Sequence, residues 1–508
     1  MSAAPRELRT PEALAQAMRA VWVASAQQWA AISAPLEPMV VIAGAGSGKT
    51  TLMAARVVYL VLTGQVRPEE VLGLTFTTKA ASELRGRIRD ALLAAGALDE
   101  PGRRDLDNSD NTDNADVLEP TVATYNAYAA GLLTDHGLRI GHEPDTRVIT
   151  DAARYQLGAR VVDRYPGEIV QLTDHAETAI QNLLALDSAM SEHLVGPDDV
   201  RAFDEREKAG FARAYAEEEA GKARKTYLGP IAAAVSAIER RGELLGLVAA
   251  YRRLKADLGL MDFSDQIELG ARLAAEQPEV GVAERARFKV VLLDEYQDTS
   301  VAQATMLARL FSGPDAASGR GHAVTAVGDP NQAIYGWRGA SVSNILDFPQ
   351  TFPALAGDVA TYPLTVNRRS DIRILEAANR LAQPLYAAHE IVAPLEAKPE
   401  AAVGVVTTTV FETHRDELAA LVDGVKAAHD AKWSDIGVLT RDNQHAAEVF
   451  DALTDADIPV EIVGLSGLLR LPEVAEIVAI LRLMHDVTAN AALLTLLTGP
   501  RWAIGPRD

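Results

Sequence analysis

The strongest chemical signal in the chain is a run of small residues ending in a cation and a hydroxyl: Ala43-Gly44-Ala45-Gly46-Ser47-Gly48-Lys49-Thr50. Small side chains let the backbone curl so that successive N–H groups point at phosphate oxygens. A helix opening at Gly48 adds the partial positive charge of its N-terminus. Lys49 can then reach the β- and γ-phosphates, and Thr50 can offer its hydroxyl to magnesium. The strict pattern begins with glycine, and here Ala43, also small, takes that place. The run from Ala43 to Thr51 is expected to bind a nucleoside triphosphate. By itself it says no more than that.

A second segment, Val290-Val-Leu-Leu-Asp294-Glu295-Tyr296-Gln297-Asp298, is an apolar run ending in two carboxylates. Its position after the phosphate loop assigns Asp294 to the metal and Glu295 to the activation of water. A third segment, Val327-Gly-Asp-Pro-Asn-Gln332-Ala-Ile-Tyr335-Gly-Trp337-Arg338-Gly-Ala340, gathers an amide, two aromatic rings and a guanidinium. Flat rings suit unstacked bases, at about 1–3 kcal/mol per base with little sequence preference. Gln332 can sense the γ-phosphate and report it to whatever the rings hold. From composition alone, Tyr335 and Trp337 could equally pack an interface.

Each of these segments follows a short apolar run that reads as a buried strand: Met39–Ile42, Val71–Thr75, Val290–Leu293 and Val324–Val327. Amphipathic stretches at 48–62, with Gly64 as C-cap, and at 79–95 read as helices between them. This alternation predicts a largely parallel sheet flanked by helices, with its ligand crevice at the carboxyl ends of the strands. Residues 99–119 are acidic and Asn-rich and read as a surface loop. Residues 129–260 are dominated by helix formers and read as a helical insertion, where Lys222, Arg224 and Lys225 could either touch phosphates or form a solvated charge run. A second α/β pattern begins near Thr361, with strands expected at Val403–Thr409, Ile436–Thr440 and Pro459–Val463, then helix from Pro472 to Leu497.

Composition sets outer bounds. At 508 residues the chain exceeds a single core. Its net charge of −21, from 49 Lys+Arg against 70 Asp+Glu, argues against a basic nucleic-acid binder. It does not exclude a basic groove within an acidic shell. The absence of cysteine excludes disulfides and Cys-based metal sites, and the ten histidines form no HExxH pair. The first twenty residues are unlike a signal peptide, and no apolar run reaches the roughly 20 residues that cross a bilayer. A cytoplasmic location with no membrane partner is the expectation.

The run GDPNQAIYGWRGA resembles motif III of the UvrD/PcrA/Rep group of superfamily 1 DNA helicases, and DEYQDTS resembles their motif II. Ser25-Ala-Gln-Gln28-Trp-Ala-Ala-Ile32 is similar to the Q motif, which implies that Gln28 reads adenine. Leu74-Thr-Phe76-Thr77-Thr-Lys79 resembles motif Ia, and Thr124-Tyr125-Asn126 resembles motif Ib with Asn where His is usual. Phe76, Thr77 and Tyr125, with Tyr335, Trp337 and Arg338, are thereby implied to contact DNA. Met261-Asp-Phe-Ser-Asp265 resembles a further short family motif. Asn367-Arg368-Arg369-Ser370 resembles motif IV: Arg369 keeps the γ-phosphate role, and Arg368 stands where a Tyr stacks on adenine. A guanidinium plane can also stack on a base. The implied catalytic set is Lys49, Glu295, Gln332 and Arg369, with ATP and Mg2+ as cofactors.

The resemblance spans about residues 22–508. It implies an α/β protein with two RecA-like P-loop motor domains, the second incomplete, and helical insertion subdomains. The expected divisions are 1–128 and 261–358 for the first motor domain, 129–260 for its insertion, 359–470 for the second motor domain, and 471–508 for the start of another insertion. Motifs V and VI are expected beyond Asp508, so the chain is expected to belong to a longer polypeptide and to hydrolyse ATP poorly alone. The implied function is ATP-driven 3′-to-5′ movement on single-stranded DNA, with single-stranded and duplex DNA as partners, in repair or recombination. Two alternatives stay open. The NRRS motif and the TGPRWAIGPRD ending look most like the AdnB-type motor of a helicase–nuclease, which would bring a second subunit. The other is an ATP-gated single-strand-binding module that never translocates.

Overall fold

The computed structural model describes residues 5–98, 119–173, 175–389, 391–462, 472–499 and 501–505. The acidic stretch at 99–119 falls almost wholly outside them. Two compact units divide the chain, Met1–Val406 and Thr407–Asp508.

The first unit is built on a six-stranded parallel sheet. Its strands are β1 Met39–Ala43, β2 Val71–Thr75, β3 Thr121–Thr124, β4 Val290–Leu293, β5 Ala323–Gly328 and β6 Ala360–Leu364, in spatial order β3-β2-β4-β5-β1-β6. Strands β1, β2, β4 and β5 are buried along their whole length. Helices cover both faces, so these strands read as unbroken apolar runs rather than alternating ones. Strand β6 contains Thr361, expected to open a second α/β pattern. It instead pairs with β1, in register from Met39–Ala360 to Ala43–Leu364.

The helix Lys49–Leu62 starts at Gly48, whose φ of +88° lies in the left-handed region, and no side chain caps it. Its first-turn N–H groups thus face the loop without a side-chain acceptor, as an anion site requires. Arg56, on the buried side of this helix, donates to the carbonyls of Ala31, Ile32, Ala34 and Pro35. Burial lowers its pKa to about 10. These bonds satisfy carbonyls at the end of the Ala26–Ile32 helix and fix that helix, which carries Gln28, against the phosphate loop.

The expected helical insertion is helical, with one two-residue strand pair, Arg147–Val148 with Leu260–Met261. Helices Asp151–Arg164, Ala176–His193, Pro197–Ala220 and Lys225–Asp257 enclose a core of Leu157, Leu183, Met190, Leu245, Val248 and Tyr251. Arg224 is held by Glu218 at 2.8 Å, which favours the charge-run alternative for that segment. Lys255 Nζ lies 3.0 Å from Asp187, 3.3 Å from Asp262 and 2.7 Å from Asp265. Asp262 also caps the Phe263–Glu276 helix, so this buried cluster joins the insertion to the sheet domain. The carboxylates hold the Lys255 pKa above its ordinary value, and the lysine is already their cation.

In the second unit, helices His414–Ala428 and Asn443–Asp455 pack around Val425, Leu453 and Ile458. The strands expected at Val403–Thr409 and Ile436–Thr440 are not formed, and neither is Pro459–Ile462, while Val463 lies outside the described residues. Among the described residues these apolar runs find no ladder partner: Val405, at the end of the first unit, is 75% exposed and Leu439 99%. The helix expected from Pro472 to Leu497 is two, Pro472–His485 and Asn490–Thr498, separated by a turn in which Asp486 accepts from the Thr488 N–H. No helix among the described residues is long and apolar enough to cross a membrane.

Candidate nucleotide and single-strand site

The phosphate loop leaves the buried end of β1 at Ala43 and returns into the helix at Lys49. It is braced from two sides. The Gly44 N–H donates to the Leu364 carbonyl on β6 at 3.1 Å. Asn367 Nδ2 donates to the Ala45 carbonyl at 2.7 Å, and the Arg368 N–H donates to the Gly46 carbonyl at 2.9 Å. A Cβ on Gly46, where φ is +67°, would come within 2.7 Å of Asn367 Nδ2. Glycine is needed there for both backbone angle and space. Motif IV thus grips the Ala45 and Gly46 carbonyls of the loop, while the Ser47 N–H closes back on the Gly44 carbonyl at 3.2 Å.

Asn367 also accepts the Arg369 and Ser370 N–H groups, at 2.8 and 2.7 Å, which fixes the backbone from which the exposed Arg369 side chain leaves. Arg369 Cβ would lie 3.0 Å from a Cβ on Gly46, so this arginine borders the loop. Gln28 is 4% exposed and is engaged at both ends of its amide. Nε2 donates to the Ser47 carbonyl at 3.1 Å, and Oε1 accepts from the Ser25 N–H at 3.1 Å and from Arg368 Nη2 at 3.4 Å. It is a strut between helix, loop and motif IV. Thr50 is half-buried in the first turn of the helix, and the Thr51 hydroxyl accepts from Arg87 at 3.3 Å.

Lys49 Nζ meets Glu295 Oε2 at 2.6 Å. Glu295 has φ +47°, a left-handed angle that non-glycine residues rarely adopt and that concentrates at functional positions. Beside it, Asp294 is 5% exposed, and its Oδ1 has no hydrogen-bond partner. Burial, then the neighbouring Glu295 charge, raises its pKa to about 7, with Lys49 opposing. A buried carboxylate oxygen with no donor, within reach of the Lys49 charge, fits a divalent cation shared with phosphate.

From Glu295 a hydrogen-bonded path runs toward the aromatic segment. Gln297 Nε2 donates to Glu295 Oε2 at 3.0 Å and to Asp298 Oδ2 at 3.1 Å. Asp298 Oδ1 accepts the Ile334 N–H at 3.3 Å. Gln297 Oε1 accepts the Asp329 N–H at 3.1 Å, and Asp329 accepts from Gln332 Nε2 at 2.6 Å. Gly44, Ala45, Asp329 and Gln332 line one cavity of about 150 Å3. Gln297, 1% exposed, links the two carboxylate loops. The sequence gives it no role of its own within the DEYQDTS run, because its partners lie on a separate loop.

At the far end of this path, Phe76 packs on Tyr335 with ring centroids 4.6 Å apart, and Tyr335 lies 6.4 Å from Trp337. The Arg338 guanidinium sits 4.5 Å from the Trp337 ring centre. Trp337 is 74% exposed. Thr77, exposed beside Phe76, caps the next helix by accepting the Ala80 N–H. Tyr125 corrects the expectation of a DNA contact. It is 1% exposed, and its hydroxyl donates to the Asp294 carbonyl at 2.9 Å, so its ring offers no face to a base. Burial holds its pKa well above the ordinary value. Its place is behind the carboxylate loop.

Residues 24–353 match the UvrD/REP helicase N-terminal domain, and residues 362–508 match the UvrD-like helicase C-terminal domain. The chain is 28% identical over 472 residues to the ATP-dependent DNA helicase PcrA of Leuconostoc citreum, covering 92% of this chain and 53% of that protein. It is 27% identical over 486 residues to the ATP-dependent DNA helicase UvrD1 of Mycobacterium tuberculosis, covering 95% and 55%. To DNA helicase II of Haemophilus influenzae it is 25% identical over 485 residues, covering 94% and 56%. The chain therefore spans about half the length of these relatives. The two matched domains imply two RecA-like motor domains in a mixed α/β protein. A phosphate loop joined to an aromatic platform, within a domain match over most of the chain, places this protein in the UvrD/REP helicase family.

Proposed function

We propose that this chain is the ATP-binding part of a DNA helicase that couples ATP hydrolysis to 3′-to-5′ movement on single-stranded DNA. The observation that carries the reading is the continuous path from Lys49 through Glu295, Gln297 and Asp298 to the backbone at Ile334, next to Tyr335. Its two ends are chemically distinct, one made for phosphate and one for bases.

In this reading the loop N–H groups cradle the phosphates, and Lys49 exchanges Glu295 for phosphate oxygens. Thr50 and Asp294 would hold Mg2+, which would neutralise phosphate charge. Glu295, released by Lys49, orients and deprotonates the attacking water. Gln332 turns from Asp329 toward the γ-phosphate, and Arg369 approaches from motif IV. Either movement pulls on the loop that ends in Tyr335, Trp337 and Arg338, where bases stack beside Phe76 and Thr77. Gln28 and Arg368 border the base of the nucleotide.

The finer assignment, a motor subunit working with a second subunit in a helicase–nuclease that processes DNA ends, is supported by the NRRS run and the terminal TGPRWAIGPRD. Hydrolysis of ATP with and without oligo-dT tests the main reading. Stimulation by the oligonucleotide that disappears in Lys49→Ala is expected. Hydrolysis indifferent to DNA, or to Lys49, would remove the motor.

A further inference from the structure

The base of the nucleotide would be met by Gln28 and Arg368, and the hydrogen bonds these two already make decide which bases they can read. Gln28 is the third residue of the Ala26–Ile32 helix, and its amide closes a capping box with Ser25. Oε1 accepts from the Ser25 N–H at 3.1 Å and from Arg368 Nη2 at 3.4 Å, while Nε2 donates to the Ser47 carbonyl at 3.1 Å. A Cβ on Gly48 would stand 3.1 Å from that nitrogen, so the amide lies against the exit of the phosphate loop. A flipped amide would set oxygen against the Ser47 carbonyl and nitrogen against two donors. Its partners therefore fix its orientation.

An amide oxygen has two lone pairs. Here one is taken by a backbone N–H and the other by a guanidinium. An amide selects adenine by accepting from N6 and donating to N7 together. With its oxygen filled, Gln28 has one N–H left to offer, and both purines carry N7. Arg368 adds donors and no acceptor. Its side chain is exposed, while its backbone N–H donates to the Gly46 carbonyl at 2.9 Å and its carbonyl accepts from Lys398 Nζ at 3.4 Å. The backbone is thus anchored beside the loop, and the guanidinium fork is left to meet a base. The edge these two residues present donates and does not accept. Guanine answers it with two acceptors, N7 and O6, and hypoxanthine shares them. Adenine answers with N7 alone and sets its N6 amino group against donors.

We infer that Arg368 is a specificity-determining residue, and that the site takes 6-oxopurine nucleotides, GTP and ITP, alongside ATP. This rests on the nucleotide reading above and adds the base to it. Two states of Gln28 follow from one neighbour. With Arg368 present its oxygen is filled, and without Arg368 one lone pair is free for an N6 amino group.

The experiment is displacement of mant-ADP, with magnesium, by ADP, GDP, IDP and CDP, followed by fluorescence. Diphosphates confine the readout to binding. In the wild type, GDP and IDP are expected to compete within about 5-fold of ADP, less than one good bidentate pair discriminates, and CDP, which lacks N7, more weakly than either. Arg368→Ala removes the fork and frees Gln28, so the ratio of the GDP Kd to the ADP Kd is expected to rise by about 5-fold or more. Arg368→Tyr, which puts a ring in place of the fork, is expected to do the same. Both substitutions leave the backbone bonds of residue 368 in place. A wild type that favours ADP over GDP by more than about 5-fold, CDP competing as well as GDP, or a smaller rise in either variant overturns the role of Arg368 while leaving nucleotide binding intact. Failure of mant-ADP to bind the wild type removes the nucleotide reading and this inference together.

Discussion

Lys49 Nζ and Glu295 Oε2 lie 2.6 Å apart, so the cation that should hold phosphate and the carboxylate that should activate water hold each other. The pair is partly exposed, and its strength is set by geometry as much as by charge. ATP must compete with Glu295 for Lys49. In Glu295→Gln the competitor is neutral, so the affinity for an ATP analogue is expected to rise several-fold while hydrolysis falls by about 10²-fold or more. Equilibrium binding and steady-state hydrolysis on the same preparation check both halves. Weaker binding in Glu295→Gln would mean the pair assists nucleotide rather than opposing it.

Tyr125 separates a structural role from a DNA-contacting one. Tyr125→Phe removes the donor to the Asp294 carbonyl without changing the ring. The expected cost is about 1–2 kcal/mol of stability, read as a lower midpoint in urea, with oligo-dT affinity unchanged. Loss of DNA affinity at wild-type stability would return Tyr125 to the DNA surface.

Much of this site is legible in the sequence because each motif follows an apolar run that can only be a buried strand. Ile42 leads into the phosphate loop, Leu293 into Asp294 and Gly328 into Asp329. Parallel strands side by side then bring those ends together, as β1, β5 and β4 do. What a one-dimensional pattern lacks is the partner. Val403–Thr409 and Ile436–Thr440 are apolar enough for strands, yet a strand needs a neighbour to pair its backbone, and none is found among the described residues. Tyr125 and Trp337 are both aromatic and follow strands, but one faces the core and the other solvent. Gln297 and Asn367 lie inside motif runs, yet the partners they reach across the fold cannot be read from those runs.

Trp337 is the most exposed ring of the platform, at 74%. Trp337→Ala is expected to weaken oligo-dT binding by about 1–3 kcal/mol, and Tyr335→Ala to do the same while also freeing Phe76. Filter binding with oligonucleotides of different composition should show the loss to be nearly sequence-independent. An unchanged affinity in both variants would make these rings packing groups only.

His322 gives a pH dependence with a definite sign. It is stacked on Phe311 at 5.5 Å, its Nε2 has no partner, and burial, then the Arg285 charge, lowers its pKa to about 4. Between about pH 4 and 6.5 the unfolded chain binds a proton that the folded chain excludes, so stability rises with pH through that window. As pH falls through it, the fold should lose on the order of 3 kcal/mol at this residue. His322→Phe keeps the stack and removes the titration. Its urea midpoint is expected to fall less steeply than that of wild type between pH 6.5 and 4, and equal slopes would show that His322 titrates normally.

The proposed motor requires that phosphate and bases be read by one connected structure. Its most direct measurement is the affinity for an ATP analogue with magnesium, by isothermal titration calorimetry, first without and then with saturating oligo-dT. Linkage requires that DNA shift this affinity by the same factor by which the analogue shifts DNA binding, about 5-fold or more in either direction. The shift should vanish in Gln297→Ala, which cuts the path between Glu295 and Asp298. Identical analogue affinities with and without DNA in the wild type would contradict the account.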